Sequence, residues 1–83
     1  MEEVTHGECI AKFEKNSKEE VRVSVDDFRG RKIINIRVYY RNEAGEWLPG
    51  KQGVALAIER YRNLVDSVLQ LGEWLEANAL LPK

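Results

Sequence analysis

Lys32-Ile33-Ile34-Asn35-Ile36-Arg37-Val38-Tyr39-Tyr40-Arg41 is the stretch that decides the fold. In an extended chain successive side chains point to opposite faces. Ile34, Ile36, Val38 and Tyr40 then point one way, and Ile33, Asn35, Arg37, Tyr39 and Arg41 the other, which predicts a long strand. Upstream, Val21, Val23 and Val25 alternate with Arg22, Ser24 and Asp26 and predict a second strand. Asp27-Phe28-Arg29-Gly30-Arg31 separates the two, with Gly30 marking a turn. Glu8 to Phe13 reads as a short first strand with Cys9, Ala11 and Phe13 on one face and Cys9 buried. Lys15-Asn16-Ser17-Lys18 is turn chemistry, because Asn and Ser bond their own backbone. Downstream, Asn42 to Glu46 is a turn and Glu46-Trp47-Leu48 a brief strand. Pro49-Gly50-Lys51-Gln52-Gly53 reads as a loop, and Val54, Ala55 and Leu56 return to strand or lead into a helix.

That helix covers residues 58 to about 77, with Ile58, Tyr61, Leu64, Val65, Val68, Leu71 and Leu75 at helical spacing. Its apolar arc spans about 160°, where a helix lying on one sheet needs nearer 100°. The surplus predicts that it covers one sheet face and also meets the same helix of a second subunit, through Tyr61, Leu64, Val68, Leu71, Gly72 and Leu75. Gly72 within the arc has two readings, a close backbone approach or a weak point in the helix. Ala57 offers no side-chain cap at the start. The order is four strands and then a helix, an α+β fold. Residues 1–7 are expected to be a flexible N-terminus, 8–77 a single domain and 78–83 a tail.

Composition sets the class. A chain of 83 residues, 43% hydrophobic and 33% charged, is a soluble globular domain with a thin core, and pairing with a second copy would thicken it. No apolar run is long enough to span a membrane. The acidic Met1-Glu2-Glu3 start predicts no secretory signal, and the lone Cys9 fits a reducing compartment. A bacterial or phage protein acting in the cytoplasm, associated with the nucleoid, is expected. Net charge is −1, yet residues 15–52 hold nine cations against six anions. A local basic stripe can hold a phosphate backbone although the whole molecule is near neutral.

Catalysis finds little support. His6 and Cys9 are the single histidine and the single cysteine, and their odd spacing on a strand sends them to opposite faces. There is no Cys/His cluster for zinc, and Gly50-Lys51-Gln52-Gly53 lacks the spacing of a phosphate-cradling loop. No enzyme activity, metal or cofactor is expected.

What the sequence does hold is aromatic residues interleaved with cations. Phe28, Arg29 and Arg31 share one turn, Arg37, Tyr39, Tyr40 and Arg41 follow on the long strand, and Lys51 comes later. Cations neutralise phosphates and flat rings stack on unpaired bases, which is the chemistry of single-stranded nucleic-acid binding. Rings on strands more often serve cross-strand packing. Tyr40 shares the parity of Ile34, Ile36 and Val38 and by that count is buried, while Phe28 is open to either reading.

Four blocks in order carry a resemblance: Val23 to Arg31, Ile34 to Arg37, Gly45-Glu46 and Pro49 to Leu56. They resemble the transcriptional positive coactivator family, whose C-terminal domain binds single-stranded DNA. The Lys15 to Lys18 turn is similar to that of bacterial members. The resemblance covers roughly residues 8–77. It implies a strongly curved four-stranded antiparallel sheet, one C-terminal helix and a dimer (a coactivator/Whirly-like fold), with channels for two antiparallel single strands. The family's stacking Phe matches Phe28, its flanking cations Arg29 and Arg31, its strand arginine Arg37 and the cation after Pro-Gly Lys51. A late aromatic matches Tyr40, against the parity count. Lys15, Lys18, Arg22 and Tyr39 complete the candidate surface. Asp26, Leu48 and Gln52 stand where the family carries cations, which implies weaker binding. The expected function is sequence-independent binding of single-stranded DNA as a homodimer, in transcription regulation or in recombination and repair. The alternatives are RNA binding and a protein-interaction module that bridges a transcription or repair partner, motivated by Trp74 off the helix's apolar arc.

Overall fold

A computed structural model describes residues 4–82, with side chains from residue 7 onward. The elements are β1 (Val4–Asn16), β2 (Glu19–Phe28), β3 (Arg31–Arg41), β4 (Trp47–Ala57), a 3₁₀ turn (Ile58–Arg60) and α1 (Tyr61–Ala77). The strands form one antiparallel sheet in the order β1-β2-β3-β4. The β2–β3 pair is the regular part, running without a slip from Glu19 opposite Tyr40 to Phe28 opposite Arg31. Arg29 and Gly30 close it with φ of 53° and 79°. Two consecutive positive φ values make the primed turn whose twist matches that of the strands it joins.

β1 is longer than Glu8 to Phe13, beginning at Val4, so residues 4–7 are part of a strand. Residues 1–3 lie outside the described residues, as does the side chain of His6. The β1 register shifts between Thr5 and Glu8, Cys9 and Ala11, and Glu14 and Asn16. Such bulges reset parity. Cys9 therefore stands opposite Ser24, while Ala11 and Phe13 stand opposite Val23 and Val21 on the other face. The single face expected for the three does not form, and Cys9 is exposed, not buried.

At the first bulge a Cβ on Gly7 would sit 2.2 Å from the Val25 carbonyl oxygen. Glycine permits that approach, and the Gly7 N–H donates to Asp26 Oδ1 at 3.0 Å. Asn35 Nδ2 donates to Asp26 Oδ2 at 2.7 Å, and Asp26 is fully buried. A buried carboxylate is tolerated when its lone pairs are satisfied. Asp26 is thus a bolt across β1, β2 and β3 rather than an exposed position that has lost a cation.

Pro49 to Gly53 is not a free loop but part of β4. Tyr39 pairs with Pro49 and Arg37 with Gly53, so Gly50, Lys51 and Gln52 bulge opposite Val38 alone. Proline is tolerated here because β4 is an edge strand.

The expected helix is present, uncapped by any side chain at its start. It does not cover the sheet. The 3₁₀ turn packs on β3 and β4, whereas α1 has no buried residue. Its apolar arc finds no surface in its own chain, and Val68 and Leu71 are 56% and 55% exposed. Ile34 is the sole apolar side chain buried among the described residues. The radius of gyration is 15.0 Å, against about 12 Å for a compact chain of this length. The accessible surface is 6955 Å², against about 5,100 Å² for a compact monomer of this mass.

The C-terminal stretch does not simply trail away. Leu80 N–H donates to the Leu75 carbonyl at 2.8 Å and Ala79 N–H to that of Glu76 at 3.1 Å, with Ala79 at φ 57°. This is the hydrogen-bond pattern that closes many helices, with alanine where glycine is usual. No helix among the described residues is long and apolar enough to cross a membrane.

Candidate nucleic-acid interface

Cross-strand partners point to the same face, so the register sorts the candidate residues. Arg22, Phe28, Arg31, Arg37 and Tyr39 share one face with Ser24, Asp26, Ile33 and Asn35. Tyr40 shares the opposite face with Val21, Val23, Ile34, Ile36 and Val38. The parity count therefore holds for Tyr40 and separates it from Arg37. It is still 41% exposed, and with Glu19, Val38, Gly50, Lys51 and Gln52 it lines a small hollow. Tyr40 and Lys51 thus border one hollow at the β4 bulge, and the bulge backbone at Gly50 and Lys51 is reached from the other face by Arg37.

Phe28 stands at the hairpin end of the shared face, 36% exposed. It borders a pocket of about 810 Å³ lined also by Arg31, Ile33, Ala55, Ala57 and Ile58. The Arg29 Cζ lies 5.2 Å from the Phe28 ring centroid, within the range in which a cation is drawn to a ring face. Lys32 and Glu59 also border the pocket, and an exposed ring with guanidinium groups nearby offers a flat face on which an unpaired base can stack. The sequence reading missed Ile33, Ala55 and Ala57 as part of the pocket lining. Ile33 is visible in the β3 alternation, whereas Ala55 reads as strand or helix lead-in and Ala57 as an uncapped helix start, so their pairing with Asn35 and Ile33 is not foreseen.

Arg37 is fixed further along the same face. Its Nη1 donates to the Gly50 carbonyl at 3.1 Å, which ties the guanidinium to the β4 bulge. Gly53 lies opposite, and a Cβ there would come within 3.1 Å of Arg37 Cζ. Arg22 stacks over Tyr39 with its Cζ 4.2 Å from the ring centroid, and its Nε donates to Glu20. Tyr39 is therefore half-covered by a guanidinium and offers a base less of its face than Phe28 does. Asn35 Oδ1, also on this face, is buried without a hydrogen-bond partner.

The first hairpin turn holds Lys15 and Lys18. Lys15 Nζ donates to Glu19 Oε1 at 2.8 Å, and Asn16 Nδ2 donates to the same oxygen at 2.8 Å. These two bonds hold the Glu19 carboxyl below its ordinary range. Lys15 is thereby paired with a carboxylate at the surface, while Lys18 is exposed at the turn. Among the described residues no three His, Cys, Asp or Glu side chains are grouped to hold a metal ion.

Residues 15–67 match the model of the family Transcriptional Coactivator p15 (PC4). The chain belongs to the PC4 family. A Neurospora crassa relative named as an RNA polymerase II transcriptional coactivator is 39% identical over 56 residues, 68% of this chain and 32% of that protein. The chain thus spans about a third of that relative's length. In three dimensions it is similar to a PC4 homologue of Burkholderia pseudomallei, with a TM-score of 0.73 and 25% identity over 78% of this chain and 88% of that one. A bacteriophage T5 homologue of the eukaryotic coactivator, implicated in recombination-dependent DNA replication, shares the fold with a TM-score of 0.60 at 24% identity, over 84% of this chain and 80% of that one. The four-stranded antiparallel sheet and C-terminal helix are therefore the PC4 architecture.

Proposed function

We propose that this PC4-family chain is a binding module, not an enzyme, that holds single-stranded DNA largely independently of sequence and works as a homodimer. The observation that carries the reading is the gathering of Phe28, Arg31, Arg37 and Arg22 on one sheet face, a ring for unpaired bases beside cations for phosphates. Duplex DNA hides its base faces, so such a surface favours an open strand.

The dimer is supported by area. An excess of roughly 1,900 Å² per chain over a compact monomer gives about 3,700 Å² for a pair, within the obligate-homodimer range of about 2,000–5,000 Å². Tyr61, Leu64, Val68, Leu71, Gly72 and Leu75 lie on one arc of α1, and open space around Gly72 leaves its backbone free to meet a partner helix. The chain would serve transcription regulation or recombination and repair, at the nucleoid in the cytoplasm.

The test is fluorescence anisotropy with labelled oligo-dT, matched duplex and matched RNA. The single strand should bind best. Phe28→Ala with Arg37→Ala should weaken it at least tenfold, since stacking alone is worth about 1–3 kcal/mol per base. Parent-like affinity in that double variant would refute the site. Equal competition by RNA would extend the reading to RNA, because rings do not read the sugar. A second reading, a bridge to a transcription or repair protein, is favoured by Trp74, 57% exposed and off the helix arc. A protein partner retained after nuclease treatment would support that reading.

A further inference from the structure

The register places Lys12 opposite Arg22 and Arg22 opposite Arg37, so cations of β1, β2 and β3 stand in one row on the Phe28 face. Neighbours in such a row have Cα atoms about 4.5–5.5 Å apart. Like charges directly opposite destabilise a sheet. This row is nevertheless built with care. Tyr39 and Glu20 hold Arg22, the Gly50 carbonyl holds Arg37, and the row ends on β4 at Gly53, where any side chain would press on the Arg37 guanidinium. Glu20 is the one carboxylate bonded to the row among the described residues. Lys12 makes no ion pair among them, and with Cys9 and Arg22 it borders a shallow hollow on the sheet. Three aligned cations, two of them pre-oriented and only one matched by a carboxylate, lack an anion.

We propose that Lys12, Arg22 and Arg37 form a phosphate-binding row where the backbone of a bound strand crosses the sheet at right angles to its strands. The row is separate from the Phe28 pocket. Arg22 and Phe28 are six residues apart on β2, or about 20 Å at 3.4 Å per residue. Glu14 and Glu20 pair in the next row outward, parallel to the cations, so phosphates are repelled on that side and the track is bounded along its flank. Lys12 becomes a contact residue, and Glu20 and Tyr39 become positioning residues. The proposal rests on reading this face as the nucleic-acid interface, and its test separates the two.

Two probes of equal length suffice: oligo-dT, and a fully abasic strand that offers phosphates but no bases. Lys12→Gln and Arg22→Gln should each lower the slope of log K against log salt by about 0.7 on both probes. Phe28→Ala should weaken oligo-dT alone. Arg22→Lys, which keeps the charge, should restore most of the slope, and circular dichroism should show the parent fold in each variant. If both Gln variants keep the parent slope while Phe28→Ala weakens oligo-dT, the row is refuted and the interface reading stands. A parent that binds the abasic strand with a row-dependent slope, but oligo-dT no better, keeps the row and removes base stacking. Binding of neither probe by the parent overturns both.

Discussion

The sheet and the helix are both regular, but they are finished to very different degrees. In the sheet the chain supplies its own neighbours: β2 and β3 pair without a slip, and the buried Asp26 draws Gly7 and Asn35 onto one carboxylate. In α1 the backbone is fully helical over Tyr61–Ala77, yet no side chain of it is buried. A helix of this length is marginal alone in water and owes its stability to packing of its apolar face. Local regularity and burial are therefore separate achievements, and α1 reaches the first without the second within its own chain. Among the described residues Ile34 is the one buried apolar side chain, so the sheet too has little core of its own.

The largest break in that comparison comes from Val68→Asp. Val68 is 56% exposed in the single chain, and a surface substitution of that kind changes stability by within about 0.5 kcal/mol. If the arc is a dimer seam, the variant buries an unpaired carboxylate at a cost on the order of 4 kcal/mol or more per chain. The expected outcome is loss of the dimer in sedimentation together with loss of strand signal in circular dichroism. A folded monomer with an intact sheet would show that the sheet stands without the helix partner.

A smaller effect should come from inside the sheet. Asp26→Asn keeps the shape but replaces an acceptor with a donor, facing either Gly7 N–H or Asn35 Nδ2. Leaving a buried donor unsatisfied costs about 1–3 kcal/mol. Gly7→Ala should cost a similar amount, since its Cβ meets backbone at 2.2 Å. Both variants should lower the urea midpoint yet sediment as the parent does, because neither touches the α1 arc. A change of oligomeric state in either would mean that the β1 bulge shapes the seam.

Much of this was legible in the sequence where a simple period governs. Val21, Val23 and Val25 against Ile34, Ile36 and Val38 predict the central hairpin and its faces, and the same count placed Tyr40 with the apolar residues. The candidate surface was legible to the extent that Phe28, Arg22, Arg37 and Tyr39 obey that count. Bulges broke it. Nothing in Cys9-Ile10-Ala11 announces an extra residue, so Cys9 was assigned the wrong face. Pro49-Gly50 reads as a loop because proline and glycine punctuate chains, although an edge strand accepts both. The width of the helix arc was visible, but the missing surface is not encoded in its own sheet. Asp26 looked like a lost cation because burial follows from a Gly7 contact that only the fold brings about.

The finest contrast lies in two residues that adopt the left-handed conformation without being glycine. Arg29 does so in the β2–β3 turn at φ 53°, and Ala79 at the end of α1 at φ 57°. That conformation costs an L-residue roughly 1–2 kcal/mol. At Ala79 no functional group depends on the side chain, so Ala79→Gly should stabilise the protein by about 0.5–1 kcal/mol, after the greater freedom of glycine in the unfolded chain is subtracted. At Arg29 the strain accompanies a guanidinium set against the Phe28 ring. Arg29→Asn should bring a similar gain in stability, since asparagine before glycine suits this turn, but it should weaken oligo-dT binding where Ala79→Gly does not. Thermal unfolding and anisotropy on the same two variants decide it. Equal effects on binding would mean that the Arg29 strain serves the hairpin and not the strand it is proposed to hold.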